Sequence, residues 1–416
     1  MHVLGQRAVW PVAVAVAVRL AVWLSLPHTR FASDEDSYYR VGINLLTTGA
    51  QDLFWPPLTG WLIASIAWVL DTTDIRWIRL AWIAMDVACV LLVRTLAARV
   101  ARDLPDGHDR LRFTSVVTLA YALYLPAISF AQFATSEIPA LLLLLSALVL
   151  FTHGDLTATR SIAAGVALGA LSITRPSLLP LVVCLPAALY VGRRARPRAA
   201  FALLAVVASA AVIGSVMARN LVLTGTPTIA QNSAYNLYIG NRDLYAEDLD
   251  LFHPVATAGQ IEFRRQYWSG ELLYPSEPPE EMQRAALAWI AEHPEVFARR
   301  ALGRLARVFA PKTDVLELIG GERAAGIFSP ATLVVLAVAN LQWVAVLFGG
   351  LAGLFVLWRV SPHIGPVFAA AVLGSLPLCL VAISKPRYAF GFEPVLLIAA
   401  GFLFTRRRDA FDIMTR

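Results

Sequence analysis

Three consecutive carboxylates, Asp34-Glu35-Asp36, followed by Ser37, the pair Tyr38-Tyr39 and Arg40, stand out in a chain where only 15% of residues are charged. Acids at a helix start are stabilised by its free amides and dipole, roughly 0.3–1 kcal/mol each, and capping needs one or two of them. Three, with paired tyrosines and a helix closed by Gly49, suit a membrane-surface site where a carboxylate takes a proton from an acceptor group. Other ionisable or polar groups sit at the ends of apolar stretches: Glu137 in Thr135-Ser136-Glu137-Ile138-Pro139, Arg175 in Thr174-Arg175-Pro176, Arg219-Asn220, and Lys385 with Arg387 in Ser384-Lys385-Pro386-Arg387-Tyr388. Charges beside a bilayer are costly without a partner or a wet cavity, so each is a site candidate. The plainer roles are snorkelling for Arg175 and Arg219 and helix capping for Glu137. Lys385 and Arg387 are sharper: lysine occurs only at 312 and 385, and here it lies two residues from an arginine, a spacing suited to a phosphate.

The elements that must position these residues are membrane helices. Of the 416 residues 58% are hydrophobic, well above the roughly 45–50% of soluble domains. Runs such as Ala8 to Leu26, Phe201 to Met217 and Leu333 to Trp358 approach or exceed the ~20 residues that span a hydrocarbon core. The net charge of +6 is almost wholly arginine and sets orientation rather than marking a nucleic-acid partner. Cys89, Cys184 and Cys379 lie inside apolar runs without metal-site or disulfide spacing, and the seven histidines are scattered. Ala8 to Leu26 leads into Pro27-His28-Thr29 with no small-x-small cleavage site, so it reads as the first span.

Arginine clusters mark the cytoplasmic face at Arg99, Arg102, Arg110 and Arg112, at Arg193, Arg194, Arg196 and Arg198, and at Arg406 to Arg408. Pro57 to Leu70 is apolar but as a helix covers only about 21 Å, so it reads as interfacial or re-entrant. The remaining spans are expected at about 77–96, 113–131, 138–152, 161–174, 178–192, 200–217, 332–358, 365–383 and 392–405. With the first this makes about ten crossings in one transmembrane domain over 1–405, both termini inside and a basic cytoplasmic tail at 406–416. A first outer loop, 27–76, and a long outer segment, 219–330, then hold most of the polar chemistry. Within the second, Pro278-Pro279-Glu280-Glu281 suits a helix start. Glu281 to Phe309 reads as amphipathic helix on the membrane surface, broken at Pro294. Arg19 and Asp86 fall inside spans and are expected to be structural, pairing with one another or with Arg79.

Asp34-Glu35-x-x-Tyr38, Asn44-Leu45-Leu46, Gly49 and Pro56-Pro57-Leu58 together resemble the first outer loop of polytopic membrane glycosyltransferases with the C-type (GT-C) fold. The resemblance is to the bacterial family-39-like enzymes, kin of protein O-mannosyltransferases and lipid A aminoarabinose transferases. Thr135-Ser136-Glu137, Arg175-Pro176, Arg219-Asn220 with Gly225, Asn236-Leu237-Tyr238-Ile239-Gly240-Asn241 and Arg387-Tyr388 continue it in order. It implies an all-α polytopic enzyme of the bacterial inner membrane, active at the outer face. Such an enzyme moves a sugar from a polyprenyl-phosphate donor to an acceptor with inversion. Asp34 matches the family's first-loop acid, with Glu35 its neighbour and Asp36 a rival. Lys385, Arg387 and Arg219 would neutralise the phosphate, so no cofactor is required, although Asp34 or Asp36 with Glu137 could hold a divalent cation. Two departures stand out. Trp55 and Pro56 replace the lysine that precedes the Pro-Pro pair in aminoarabinose transferases, and the long outer segment lacks the β-trefoil of the eukaryotic mannosyltransferases. The acceptor expected is therefore lipid-linked or a cell-envelope glycan. Two competing readings are a lipid-linked sugar flippase or transporter, disfavoured by the absence of an internal repeat and by the one-sided polar residues, and an envelope polymerase or ligase using a pyrophosphate-linked donor.

Overall fold

The computed structural model describes residues 10–29, 31–32, 34–104, 107–154, 156–192, 196–241, 278–318 and 329–405. The start of the first span at Ala8, Arg193 and Arg194, parts of the long segment and the Arg406 to Arg408 tail lie outside the described residues. Among the described residues every regular element is helical, as expected of an all-α membrane protein.

The first span is α1, Trp10–Ser25, and two short helices follow, α2, Glu35–Thr48, and α3, Pro57–Val69. Gly49 ends α2 at φ 69°, a left-handed stop that glycine alone takes without cost, and its amide returns to the Leu45 carbonyl. The pair packs together as interfacial helices before the long α4, Ile75–Val100. Next come α5, Gly107–Ala122, the one-turn α6, Leu125–Phe130, and the spans α7, Glu137–Phe151, and α8, Ala158–Thr174. Then follow α9, Leu181–Gly192, α10, Arg196–Thr224, and the short α11, Asn232–Gly240. The long segment contributes α12, Pro279–Glu292, and α13, Pro294–Val308, divided at Pro294 as its missing amide requires. The chain finishes with α14, Pro330–Val360, α15, Gly365–Gly374, α16, Pro377–Val381, and α17, Glu393–Thr405.

Among the described residues three stretches, Ile75–Asp103, Ala199–Thr224 and Pro330–Val360, are long and apolar enough to cross a membrane alone, and seven shorter apolar helices accompany them. Their exposed side chains are apolar, Val222, Leu341, Phe348 and Trp68 among them, which suits contact with lipid tails. Where the last helices meet, Gly353 brings α14 so close to α17 that a Cβ there would lie 2.0 Å from the Ala399 carbonyl oxygen.

Three expected boundaries are corrected. The span 113–131 breaks after Ala122, because Pro126 cannot continue a helical ladder. Gln342 repairs the break, accepting from Leu125 N at 2.9 Å and donating to Leu123 O at 3.0 Å. The span 365–383 divides at Pro377 for the same reason. The span 200–217 instead runs on through Arg219 and Asn220 to Thr224, where Gly225 at φ 76° stops it.

Two irregular buried segments shape the site. Along 131–136 the backbone leaves helical geometry, and side chains take up its polar groups: Trp82 donates to Thr135 O at 2.7 Å and Ala134 N donates to Glu35 at 2.8 Å. Such backbone is tolerated at membrane depth only when protein satisfies it. The other segment is 382–385, which leads into a short 3-10 helix, Pro386–Gly391, and is held from the side by α13 and the turn after it.

Candidate active site

Asp34, the residue before α2, reaches a cavity of about 770 Å³. Glu137 enters it from the first turn of α7, Arg175 from the end of α8, and Lys385, Arg387 and Tyr388 from the start of the 3-10 helix Pro386–Gly391. Charges alternate along the wall. Arg387 pairs with Asp34 through Nη2 and lies with Nε 3.7 Å from Glu137 Oε1, and Arg175 meets the same Glu137 oxygen at 2.8 Å. Arg175 also lies over the Tyr388 ring, 5.3 Å from its centroid. With Arg307, the lining carries four cations, Arg175, Arg307, Lys385 and Arg387, against the two carboxylates.

These charges are not equally committed. Glu137 and Arg387 are buried, whereas the Asp34 side chain keeps 28% of its surface. Burial pushes the Asp34 carboxyl upward, but the charge of Arg387, then that of Lys385, and the Arg387 hydrogen bond outweigh it and hold the group below the usual carboxylate range. The Lys385 ammonium faces the cavity and has no ion-pair partner among the described residues. The charge of Arg387, and then burial, lower it from the ordinary lysine value against the pull of Asp34 and Asp314.

The basic segment is set by two buried cations. Lys312 donates to Pro386 O at 2.7 Å, pairs with Glu393 at 2.5 Å and sits 4.2 Å from the centre of the Trp343 ring. Arg304 of α13 donates to Leu380 O at 2.8 Å and Val381 O at 3.1 Å, binds Asn241 Oδ1 at 2.8 Å and also reaches Gly240 O. Ser384 returns a hydrogen bond to the Arg304 carbonyl at 2.8 Å. Lys385 and Arg387 are thus presented on a strap pinned at both ends. Neither Arg304 nor Lys312 was among the sequence candidates. For Lys312 a signal existed, the rarity of lysine; Arg304 has none, being one arginine of several on an amphipathic helix.

Of the sequence candidates, Asp34, Tyr38, Glu137, Arg175, Lys385, Arg387 and Tyr388 line this one cavity. Five do not. Glu35 turns inward to Arg79, at 2.9 and 2.7 Å, and accepts the Ala32 and Ala134 amides at 3.1 and 2.8 Å. Asp36 pairs with Arg40 at 2.9 Å on the exposed side of α2. Tyr39 donates to Thr73 O at 2.6 Å. Arg219 stacks over Trp61 at 5.4 Å and binds Asn220 at 2.9 Å, while the buried Asn220 donates to Thr228 O at 2.7 Å. Arg219 thus braces the end of α10 against α3, and Asn220 ties it to the loop at Thr228 and Ile229. Asp86 pairs with Arg19 and accepts from Tyr121 at 3.0 Å, so Arg79 is left for Glu35. Trp55 and Pro56, the departure from the aminoarabinose pattern, stand in the cavity wall.

The carboxylates expected to offer a divalent-cation site are engaged elsewhere. Asp34 and Glu137 share Arg387, Asp36 lies elsewhere, and no group of three potential ligands occurs among the described residues.

The chain matches no protein-family model and no curated protein. Among solved structures, the archaeal oligosaccharyltransferase AglB of Archaeoglobus fulgidus, in complex with an inhibitory peptide and a dolichol-phosphate, is similar over 98% of this chain and 51% of its own. The identity is 16% and the TM-score 0.50. The apo form of the Archaeoglobus fulgidus oligosaccharyltransferase is similar over 99% and 51%, with 15% identity and a TM-score of 0.51. ArnT of Cupriavidus metallidurans bound to undecaprenyl phosphate covers 98% and 80%, with 16% identity and a TM-score of 0.46. The fold assignment rests on the first two: the chain has the GT-C fold of polytopic membrane glycosyltransferases. It spans about half the length of those oligosaccharyltransferase chains.

Proposed function

We propose that the protein is an inverting glycosyltransferase of the bacterial plasma membrane. In this reading it moves a sugar from a polyprenyl-phosphate donor to a lipid-linked or cell-envelope glycan acceptor. The observation that carries the reading is the pairing, in one cavity, of an ionised and partly accessible carboxylate, Asp34, with an uncommitted ammonium, Lys385. A flippase needs the cations but has no use for a carboxylate held ionised beside them.

The acceptor hydroxyl oxygen attacks the anomeric carbon as its proton passes to Asp34. The bond from that carbon to the phosphate oxygen breaks, and its electron pair leaves with the polyprenyl phosphate. Attack opposite the leaving group inverts the centre. Lys385 and Arg387 hold the phosphate as its charge grows, and cations placed in advance in a water-poor site are effective at this task. Arg387 also orients Asp34, and Glu137 holds Arg387 and Arg175 in register. No divalent ion is needed, because guanidinium groups already supply the positive charge. The arginine clusters of the sequence support a site facing outside, with both termini inside and the tail 406–416 in the cytoplasm.

The test is transfer by the purified protein from radiolabelled polyprenyl-monophosphate sugars to a membrane lipid and glycan extract. Wild type transfers label; Asp34→Asn loses transfer by about 10²–10⁴-fold, the range for a lost general base, and still binds undecaprenyl phosphate. Transfer only from pyrophosphate-linked oligosaccharides would replace the donor class. Lipid movement between leaflets without transfer would overturn the enzyme.

A further inference from the structure

The same cavity has a second wall that the transfer chemistry leaves unused. Tyr38, Trp55 and Tyr235 line it and Phe54 backs it, in a continuous aromatic series: Tyr38 to Trp55 5.0 Å between ring centroids, Trp55 to Phe54 5.4 Å, Phe54 to Tyr235 5.6 Å. The wall is built and fixed. The backbone amides of Gln231 and Asn232, at the start of α11, donate to Leu53 O at 3.0 Å and Phe54 O at 2.9 Å. Met282 and Ala286 of α12 pack behind it in a small cluster of their own.

Asn232 and Asn236, one helical turn apart on α11, line the same space. Neither side-chain amide has a hydrogen-bond partner among the described residues, although Asn232 is only 9% exposed. Each of these amides offers donors and an acceptor to whatever fills the cavity. None of these aromatic and amide side chains is charged at neutral pH.

Resting on the glycosyltransferase reading, we infer that this wall is the binding subsite for a neutral, hydroxyl-rich pyranose ring of the acceptor. A pyranose presents an apolar face of C–H groups to the aromatic rings and an edge of hydroxyls to the two amides. Tyr38 lies one turn after Asp34, and its backbone amide donates to the Asp34 carbonyl at 3.1 Å. A ring seated on Tyr38 and Trp55 therefore brings a hydroxyl toward the carboxylate that takes its proton. The wall itself offers no charged partner to a uronic acid or an amino sugar, so neutral rings lose nothing there.

Saturation-transfer NMR on the detergent-solubilised full chain tests this, with methyl glucopyranoside, galactopyranoside and mannopyranoside as probes and methyl glucuronide as the charged comparison. At least one neutral glycoside is expected to receive saturation at its ring C–H positions, more strongly than the glucuronide. The signal is expected to fall roughly fivefold or more in Asn236→Ala and in Trp55→Leu, the effect of one lost hydrogen bond or stacking partner. Trp55→Phe keeps an aromatic ring and should retain most of it, and Asp36→Ala, outside the cavity beside Arg40, should leave it unchanged. No saturation of any neutral glycoside by wild type, or undiminished signal in both Asn236→Ala and Trp55→Leu, overturns the subsite. Undecaprenyl-phosphate binding and transfer measured on the same samples separate the two readings. Transfer without glycoside binding removes the subsite and leaves the enzyme, whereas glycoside binding without transfer from any donor removes the enzyme and leaves a carbohydrate site.

Discussion

Asp34 and Glu35 are adjacent in sequence and opposite in circumstance. Glu35 is fully buried and saturated: Arg79 meets it with two nitrogens and two backbone amides supply the rest of its hydrogen bonds. Asp34 is partly open and shares one guanidinium with Glu137 at the edge of a cavity. A carboxylate with four donors has no capacity left for a substrate and cannot give up a partner without leaving Arg79 buried and uncompensated. A carboxylate held ionised by a cation that is itself shared keeps a free edge for an incoming proton. The saturated pair also serves the open one, since the Ala134 amide bound by Glu35 lies three residues before Glu137. On the proposed reading, the difference separates the residue that builds the site from the one that works in it.

The strongest way to break this comparison is to neutralise the buried partner. Glu35→Gln leaves the shape nearly unchanged but strands the Arg79 charge. We expect a loss of about 4–5 kcal/mol in unfolding free energy, the upper end for a broken buried pair, measured by denaturant unfolding in mixed micelles. Asp34→Asn should cost far less stability while abolishing transfer. If Asp34→Asn were the more destabilising of the two, the division between building and working residue would be lost.

Lys312→Met comes next. It strands Glu393 and frees the Pro386 carbonyl, so the cost should be about 3 kcal/mol, and the Lys385–Arg387 strap should lose its register. Because Lys312 positions the donor cations without lining the cavity, its loss should raise KM for the lipid donor more than that for the acceptor. Equal changes in both would make it a general stability residue.

The third effect is on pH. Lys385 discharges at lower pH than a free lysine, since Arg387 and burial both disfavour its charge while Asp34, Asp314 and Glu137 resist only in part. Donor affinity should therefore fall on the alkaline side before pH reaches the ordinary lysine value of about 10.4. Lys385→Arg, whose charge persists above pH 12, should move that limb upward. Asp34 titrates below the usual carboxylate range, so it should impose no acidic limb above about pH 4. A limb unmoved by Lys385→Arg would assign it to another group.

Much of the fold was legible from apolar length, because a bilayer forces every spanning backbone to satisfy itself within a helix. The short Pro57–Val69 helix and the break at Pro294 followed from length and proline chemistry alone. The breaks at Pro126 and Pro377 were missed because Leu123 to Phe130 and Leu373 to Val381 stay apolar across them, so hydropathy carries no mark of a corner. At the site, residue type located the charged groups but not their partners. Three acids in a row look alike in sequence, and only the helix phase after residue 34 decides which faces Arg79, which faces Arg387 and which faces water. Trp55, Asn232 and Asn236 carry no charge to draw notice, and the strap around Lys385 depends on cations far away in the chain.

The third acid completes the series and gives the smallest effect. Asp36, half exposed, meets the largely exposed Arg40 one turn later, where such pairs contribute only about 0.3–0.5 kcal/mol and salt screens them. Asp36→Ala should therefore change stability by no more than that and leave transfer within about twofold of wild type. The three substitutions along Asp34-Glu35-Asp36 would then separate cleanly, one losing chemistry, one losing stability and one losing neither. A large loss of transfer in Asp36→Ala would move the proton acceptor from the cavity to the outer face of α2. The cavity would then be left with no carboxylate beyond those its own arginines already hold, and the contrast between Asp34 and Glu35 would no longer identify the working residue.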